Sequence, residues 1–167
     1  MDFTNRVSRV LHDEHVQTIA LVERLEQLAS RNRGDDPPKA GEPGVARLLT
    51  DLTTWVESEI NRHFDFEEQH LFSYLASPAD AAIGAALSDE HRVIRPLGAR
   101  IAALAQEASG RPFAAAEWSE FRRLGLELCE TVQAHVQKEE LALLPVLEDE
   151  MDAETEARLY QDYVDKM

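Results

Sequence analysis

The sequence predicts an all-α fold: an antiparallel up-down-up-down four-helix bundle with a short fifth helix at the C-terminus. Three observations predict it. Four long segments have apolar residues at helical spacing, breaks rich in glycine and proline separate them, and the connections are short enough to favour antiparallel neighbours. The 167 residues, of which 44% are hydrophobic, suffice for one domain with a buried core, so we expect a single domain over residues 1–167.

The first two helices are predicted at about residues 3–30 and 45–75. Between them, NRGDDPPKAGEPG at 32–44 is a polar loop, since a helix cannot cross its prolines. The first helix has an apolar face through Val7, Leu11, Thr18, Val22 and Leu25, and the second through Leu49, Leu52, Val56 and Ile60.

The third and fourth helices are predicted at about 79–108 and 113–144. ASPAD ends the second helix, and Ser77 with Pro78 is suited to cap and start the third. SGRP ends the third helix, and Pro145 is expected close to the end of the fourth. The tail at 152–165 can form the short fifth helix as a C-terminal extension.

Charge and composition exclude several classes of partner. With 32 acidic and 17 basic residues, the net charge of −15 argues against nucleic acid and against an anionic membrane. An acidic surface can attract metal cations, although it usually serves solubility. Because Cys129 is the single cysteine and no signal peptide or eighteen-residue apolar run occurs, we expect a cytoplasmic protein that does not span a membrane.

The two halves of the chain resemble each other. DEHVQTIALVERLEQLA at 13–29 aligns without gaps to DEHRVIRPLGARIAALA at 89–105, and HFDFEEQHLFSYL at 63–75 aligns to HVQKEELALLPVL at 135–147. Two helix pairs therefore have matching polar residues at matching depths. A bundle with two-fold pseudosymmetry would bring all of them to one level.

Six polar residues fall on the apolar faces of the four predicted helices: His15, His63, Glu67, His91, His135 and Glu139. A single core histidine usually has only a hydrogen-bonding role, but four in repeated register suggest a common one. Buried carboxylates are costly without a partner, and two facing each other repel. The inward faces offer no lysine, and Arg95 is the only arginine nearby.

A dinuclear metal site would offset both the cost of burying the two carboxylates and the repulsion between them. Imidazole nitrogens and carboxylate oxygens suit iron and manganese, and zinc can also use them. Two glutamates at one level can bridge two ions. Glu68 and Glu140 are turned by about 100° from this face and are expected to be solvated or to support the ligands.

Two further histidines are weaker candidates. His12 lies one turn before His15 and is a candidate extra ligand; the alternative is a partly exposed helix residue. His70 lies two turns after His63 and is a candidate for lining an access path, although a surface role is favoured.

These residues resemble a hemerythrin-like, or HHE cation-binding, domain. The resemblance rests on an acidic residue before His15 and His91 and on His-x-x-x-Glu-Glu beginning at His63 and His135, and it covers a core of about 8–147. Ferritin-like di-iron bundles use the opposite order, Glu-x-x-His. The resemblance implies a di-iron centre (Fe2+/Fe3+) with an oxo, hydroxo or water bridge. His15 and His63 would bind one iron, His91 and His135 the other, and Glu67 and Glu139 would bridge.

The sequence departs from the oxygen-carrying hemerythrins, which have a fifth histidine where this chain has Arg95. Their second bridge is an aspartate five residues after its histidine, whereas Glu139 follows His135 by four. We therefore expect an open or water-filled position rather than simple oxygen carriage. Arg95 is expected to hydrogen-bond a bridging carboxylate or a bound anion, the alternative being an exposed pair with a surface acid.

Three functions remain open at this level. The first is a protein that binds oxygen, nitric oxide or peroxide for sensing, storage or scavenging. The second is an enzyme that decomposes peroxide, and the third is iron storage or a structural metal bundle. No nucleophile triad or phosphate loop is present, which favours a small diatomic ligand or peroxide over an organic substrate. The sequence does not identify a protein partner.

Overall fold

The computed structural model describes residues 3–32, 37–39, 42–78 and 80–165, apart from the side chain of residue 59, and this part of the chain is helical without any β-strand. The predicted fold class is confirmed. Residues 33–36 and 40–41 of the predicted first loop, and residue 79 at the predicted start of the third helix, lie outside the described residues.

The first helix, Arg6–Arg31, begins at a side-chain cap. Asn5 Oδ1 accepts hydrogen bonds from the amides of Val7 at 2.8 Å and Ser8 at 3.2 Å, two donors that the first turn would otherwise leave unpaired. The second helical run starts with Pro43 in its first turn. Its segments are an α-helix Pro43–Trp55, a π-helix Val56–His63, an α-helical turn Phe64–Phe66, a π-helix Glu67–Leu71 and a 3-10 turn Phe72–Leu75.

The third helix is Ala81–Glu107, and the fourth run consists of an α-helix Ala115–Lys138, a π-helix Glu139–Leu143 and an α-helix Leu144–Glu150. The prediction that the fourth helix ends near Pro145 is wrong. Pro145 lies in the first turn of the last α-helical segment, where its missing amide is tolerated, so the run continues to Glu150. The C-terminal helix, Ala153–Val164, begins at the Asp152 cap and packs against the first helix.

Each of the four bundle helices contacts its neighbours around the bundle, and the apolar core has two parts. One cluster contains Val22 and Ile94, and the other contains Leu11 and Leu87. Along the first helix His15 falls between the two clusters, and along the third helix His91 does the same. A buried polar layer therefore crosses the bundle between two apolar ends. Within the described residues, no helix is long and apolar enough to cross a membrane.

Candidate metal centre

The polar layer contains the six residues whose spacing placed them on the apolar faces, and each is at most 3% exposed: His15, His63, Glu67, His91, His135 and Glu139. The α-helical first and third elements each supply one histidine. The second and fourth runs each supply a histidine and a glutamate, and both glutamates begin a π-helical segment. Such segments are rare and are often found at functional sites.

Three imidazole nitrogens contact these two glutamates at short range. His15 Nε2 lies 3.1 Å from Glu139 Oε2, and His135 Nε2 lies 3.1 Å from Glu139 Oε1. His63 Nε2 lies 3.0 Å from Glu67 Oε1. Two glutamates and three imidazoles thus come together at the centre of the bundle.

His91 completes the layer and connects its two sides. Its Nε2 is 3.4 Å from Glu67 Oε2, 3.9 Å from Glu139 Oε1 and 3.1 Å from His135 Nε2. The Phe64 ring stacks on the His91 ring with 3.7 Å between centroids and 5° between planes, which fixes the orientation of the imidazole.

The ligand atoms form two groups that share both glutamates. One group contains His15 and His63 with Glu67 and Glu139, the other contains His91 and His135 with the same glutamates, and in each group the atoms lie within 4.8 Å of one another. This is the partition that the family resemblance implies for two cations.

The inward-facing nitrogen and oxygen atoms of the six inner residues are better satisfied by bound cations than by hydrogen bonds to one another. Within the described residues, four of these buried atoms make no hydrogen bond, although each has an inner nitrogen or oxygen within 3.4 Å: His15 Nε2, Glu67 Oε2 and both Glu139 oxygens. Unpaired buried carboxylate oxygens are costly, and a cation would satisfy them. The set of imidazole nitrogens and carboxylate oxygens suits iron, manganese and zinc.

An outer layer of carboxylates holds the other nitrogen of every inner histidine. His63 Nδ1 is 2.8 Å from Glu14, and His135 Nδ1 is 3.1 Å from Glu90. The remaining two contacts, to the glutamates that follow Glu67 and Glu139 in the chain, are His91 Nδ1 to Glu68 at 2.8 Å and His15 Nδ1 to Glu140 at 2.7 Å. A carboxylate at Nδ1 favours the tautomer that leaves Nε2 free to bind a cation.

Each outer carboxylate has a cationic or titratable partner of its own. Arg62 pairs with Glu14 at 2.6 Å, Arg95 with Glu68 at 3.1 Å, Lys138 with Glu90, and His12 with both oxygens of Glu140 at 3.0 Å. Tyr163 from the C-terminal helix donates a further hydrogen bond to Glu14 at 2.5 Å. The centre is therefore built in shells of alternating charge, which lowers the cost of burying it.

The protein environment changes the pKa values of the inner groups. Burial lowers the pKa of His15, but Glu139 and Glu140 outweigh it and raise this pKa to about 9. Burial likewise opposes the shift at His135, where Glu139 and Glu90 raise the pKa to about 10. Burial raises the pKa of Glu139, but His135 and His15 hold it well below the usual range. In the absence of a cation, the raised pKa values favour protonated imidazoles at His15 and His135 at neutral pH.

The outer carboxylate Glu14 remains ionised although it is buried. Burial raises its pKa, but the hydrogen bonds from His63, Tyr163 and Arg62 lower it to about 2. This carboxylate is therefore ionised at neutral pH and can accept a hydrogen bond from His63.

The weaker candidates take outer positions. His12 is half-buried against Glu140 and belongs to neither group of ligand atoms. His70 contacts the Phe66 ring and lines a surface cavity of about 330 Å³ with Arg62 and Tyr163, and none of the six inner residues lines that cavity.

Arg95 does not reach the shared glutamates, so its expected hydrogen bond to a bridging carboxylate is wrong. Its guanidinium donates to the carbonyl of Ile60 at 2.7 Å, to Asp65 at 2.8 Å and to Glu68 at 3.1 Å. Its side chain is long enough to pass over the Phe64 ring, with the guanidinium carbon 5.6 Å from the ring centroid, and to reach these outer acceptors.

Sequence reasoning missed two carboxylates of the outer layer, Glu14 and Glu90, and three partners of these carboxylates, Arg62, Lys138 and Tyr163. A signal for the first two was present, because a glutamate precedes the histidine in both copies of the Asp-Glu-His repeat. No local signal could identify Tyr163, which meets its partner across 149 positions of the chain.

The comparison with known proteins agrees with this geometry. The model of the hemerythrin HHE cation-binding domain matches residues 6–147, and a second match covers residues 86–163. The chain belongs to the hemerythrin HHE cation-binding family, as the resemblance predicted. No curated protein sequence matches the chain.

Proposed function

We propose that this protein is a non-haem di-iron protein that binds a small ligand, namely oxygen, nitric oxide or peroxide, for sensing, storage or scavenging. The observation that carries the proposal is the pair of four-residue groups that share Glu67 and Glu139 at the buried centre of the bundle. His15 and His63 would hold one iron, His91 and His135 the other, and the two glutamates would bridge.

The number of protein ligands supports a centre that accepts a further ligand. Each group offers two imidazoles and two carboxylate oxygens. Four ligands can complete a tetrahedral zinc site, whereas octahedral metals such as iron and manganese would keep positions for a ligand or a bridging water. Bound iron would supply reversible one-electron chemistry and affinity for diatomic ligands. Arg95 cannot fill an open position, because a guanidinium does not ligate cations.

The chain itself supplies orientation and dryness. The Nδ1 contacts to the outer carboxylates turn every Nε2 inward, and the two apolar clusters cover the layer from both ends. Charge stabilisation is stronger in such a water-poor site than at the surface.

The surroundings of the centre favour a small ligand over an organic substrate. A cavity of about 450 Å³ between the first and fourth helical elements reaches the outer edge of His15 and is lined mostly by apolar atoms, including those of Val16, Ile19 and Val136. Because His15 itself is only 3% exposed, an organic substrate would not pass it without a rearrangement of the bundle.

Peroxide decomposition is a second candidate, supported by His12. The His12 imidazole lines the same cavity and contacts both Glu140 oxygens at 3.0 Å. An imidazole–carboxylate pair beside this cavity could accept and return the protons that turnover of peroxide requires.

The test uses iron-loaded full-length protein, reduced without oxygen and mixed separately with oxygen, nitric oxide and hydrogen peroxide. We expect two irons per chain and an absorption change with at least one of these ligands. Reversal on removal of the ligand would support binding, and sustained oxygen evolution from peroxide would support the enzyme. If none of the three ligands changes the spectrum, both ligand binding and peroxide decomposition would be contradicted. Iron storage or a structural metal site would then be the remaining function.

A further inference from the structure

We propose that Tyr163 in the C-terminal helix is a positioning residue for one of the two cations: its hydroxyl orients Glu14, which in turn holds the His63 imidazole. This inference rests on the proposed function only in requiring that the inner layer binds two cations. It adds a residue outside the four-helix bundle to the centre and confines its effect to the His15/His63 position.

A short chain of contacts connects Tyr163 to the inner layer. The Tyr163 hydroxyl donates to Glu14 Oε2 at 2.5 Å, and the same oxygen is 2.8 Å from His63 Nδ1. His63 Nε2 faces the centre, 3.0 Å from Glu67. Tyr163 is 1% exposed and Glu14 is 7% exposed, so water cannot easily replace the phenol.

The hydroxyl matters because two groups compete for Glu14. Arg62 binds Glu14 Oε1 at 2.6 Å, and a guanidinium can form a bidentate pair when both carboxylate oxygens are available. The Tyr163 hydrogen bond keeps Oε2 turned toward His63. Without it, rotation of the carboxylate toward Arg62 would weaken the contact that orients the imidazole.

The ring of Tyr163 is fixed independently of its hydroxyl. The Phe66 ring lies 4.4 Å from it between centroids, and the Arg62 guanidinium carbon lies 4.5 Å from its centroid. Replacement by phenylalanine should therefore keep the packing of the ring and remove the hydrogen bond to Glu14, which makes the substitution a direct test of that hydrogen bond.

In the second half of the chain, the glutamate that corresponds to Glu14 in the repeat has a different partner. Glu90, the repeat partner of Glu14, pairs with His135 and with Lys138, a residue of the fourth helical run itself. The C-terminal helix follows the second half of the chain but packs against the first helix. The two cation positions are thus supported unequally, and loss of the Tyr163 hydroxyl should be felt at one of them.

The experiment is a Co2+ titration of metal-free full-length protein, with the parent compared with Tyr163→Phe. We expect two Co2+ ions in both proteins, with one binding step weakened about three- to tenfold in the variant and the other unchanged. This is less than the roughly 10- to 100-fold typical of a direct partner of a ligating histidine, because Tyr163 acts one hydrogen bond further out. In the proton NMR spectrum of the Co2+-loaded protein, the cobalt ions shift the N–H signals of the ligating imidazoles. One of these signals, that of His63 Nδ1–H, should differ between Tyr163→Phe and the parent.

Two further variants separate positioning from a general effect on the fold. Tyr160→Phe on the same helix, where the ring contacts Arg6, should leave both binding steps unchanged. In a Glu14→Gln background, Tyr163→Phe should add little, because both substitutions act through one contact. A purely structural hydroxyl would instead lower the melting temperature and leave affinity and N–H signals as in the parent.

The possible outcomes distinguish the two proposals. A parent protein that binds fewer than two Co2+ ions overturns the dinuclear site and this inference with it. Two ions in the parent, with both steps unchanged or equally weakened in Tyr163→Phe, overturn the inference alone.

Discussion

Glu139 and Glu140 are adjacent in the chain but face different environments. Glu139 is fully buried among imidazoles, whereas Glu140 contacts His12 and the outer nitrogen of His15. We therefore expect Glu139→Ala to lose at least one cation even at saturating metal, since both positions share this carboxylate. Elemental analysis after iron loading measures the loss.

Glu140→Ala is the matched control. It should keep both cations when metal is saturating, with an affinity about 10- to 100-fold lower at the His15 position, because only an orienting contact is lost. The reverse pattern of metal content would show that Glu140 and not Glu139 is the shared ligand.

The raised pKa values of His15 and His135 make the metal-free protein sensitive to alkali. Both rise from 6.5 in the unfolded chain to about 9 and about 10 in the folded protein. The stability that these groups contribute is therefore fully present below pH 6.5 and is lost as the pH rises to about 9–10. Urea unfolding of the metal-free protein at a series of pH values measures this loss.

The same pKa values predict that cation binding releases protons at neutral pH, since Nε2 must be deprotonated to ligate. Calorimetric Zn2+ titrations in buffers of different ionisation enthalpy would count them. Binding without proton release at pH 7.5, or a metal-free protein whose stability is flat from pH 6.5 to pH 10, would contradict the charged state assigned to the layer.

At the residue scale, the sequence revealed the inner layer and largely hid the outer one. His63 and Glu67 were visible because polar residues on an apolar helical face break a clear pattern. Glu14 interrupts no pattern: it precedes His15 on the helix, and its burial depends on a neighbouring helix and on Tyr163. Contacts between elements, which spacing within one helix does not encode, decide such positions.

At the scale of elements, Arg95 joins the third helix to the two π-helical segments of the second run and to the α-helical turn between them. It contacts the Ile60 carbonyl, Asp65 and Glu68 together, a task that suits the planar fork of a guanidinium. We expect Arg95→Met to release Glu68, to loosen the orientation of His91 and to weaken one cation step by about tenfold. Co2+ titration measures the affinity.

Arg100→Met provides the comparison for Arg95, because Arg100 lies on the same helix but pairs with Glu120 at an exposed position. It should leave both cation affinities unchanged, and the stability of the protein should change little, because solvent screens an exposed ion pair. Equal effects of the two substitutions would indicate a general loss of charge rather than a clamp on Glu68.

The helical elements were largely predictable, and their irregular segments were not. Amphipathic spacing located the four helical runs, and the tail was expected to form the short fifth helix that is present at Ala153–Val164. Pro145 misled because a proline can also open a helical turn. The π-helical segments have no signature in the sequence: Glu139–Leu143 contains neither glycine nor proline. Such segments depend on tertiary contacts rather than on local preference.

For the whole molecule, the polar layer between two apolar clusters predicts that cations stabilise the fold. A cation that binds only the native state stabilises it, and each bound ion contributes about 2.7 kcal/mol at a free concentration near one hundred times its Kd. We expect two ions per chain and a lower melting temperature after chelation, measured by elemental analysis and calorimetry.

The inner-layer variant His63→Ala tests whether stabilisation comes from this centre. Its melting temperature should respond much less to added metal than that of the parent, while His70→Ala should respond as the parent does. An equal gain in all three proteins would place the stabilising cations elsewhere.

The outer carboxylates reveal what kind of assembly the centre imitates. Glu14 and Glu90 reach histidines of their own half, while Glu68 and Glu140 reach histidines of the other half. In a symmetric dimer of two identical helical hairpins, each hairpin would likewise contribute one carboxylate to its own histidine and one to a histidine of its partner. The centre of this single chain therefore has the pseudo-two-fold symmetry of a homodimer. Covalent union removes the constraint of such a dimer that both copies be alike. The two halves do differ around the centre: Tyr163 of the C-terminal helix contacts Glu14 in one half, and Lys138 contacts Glu90 in the other.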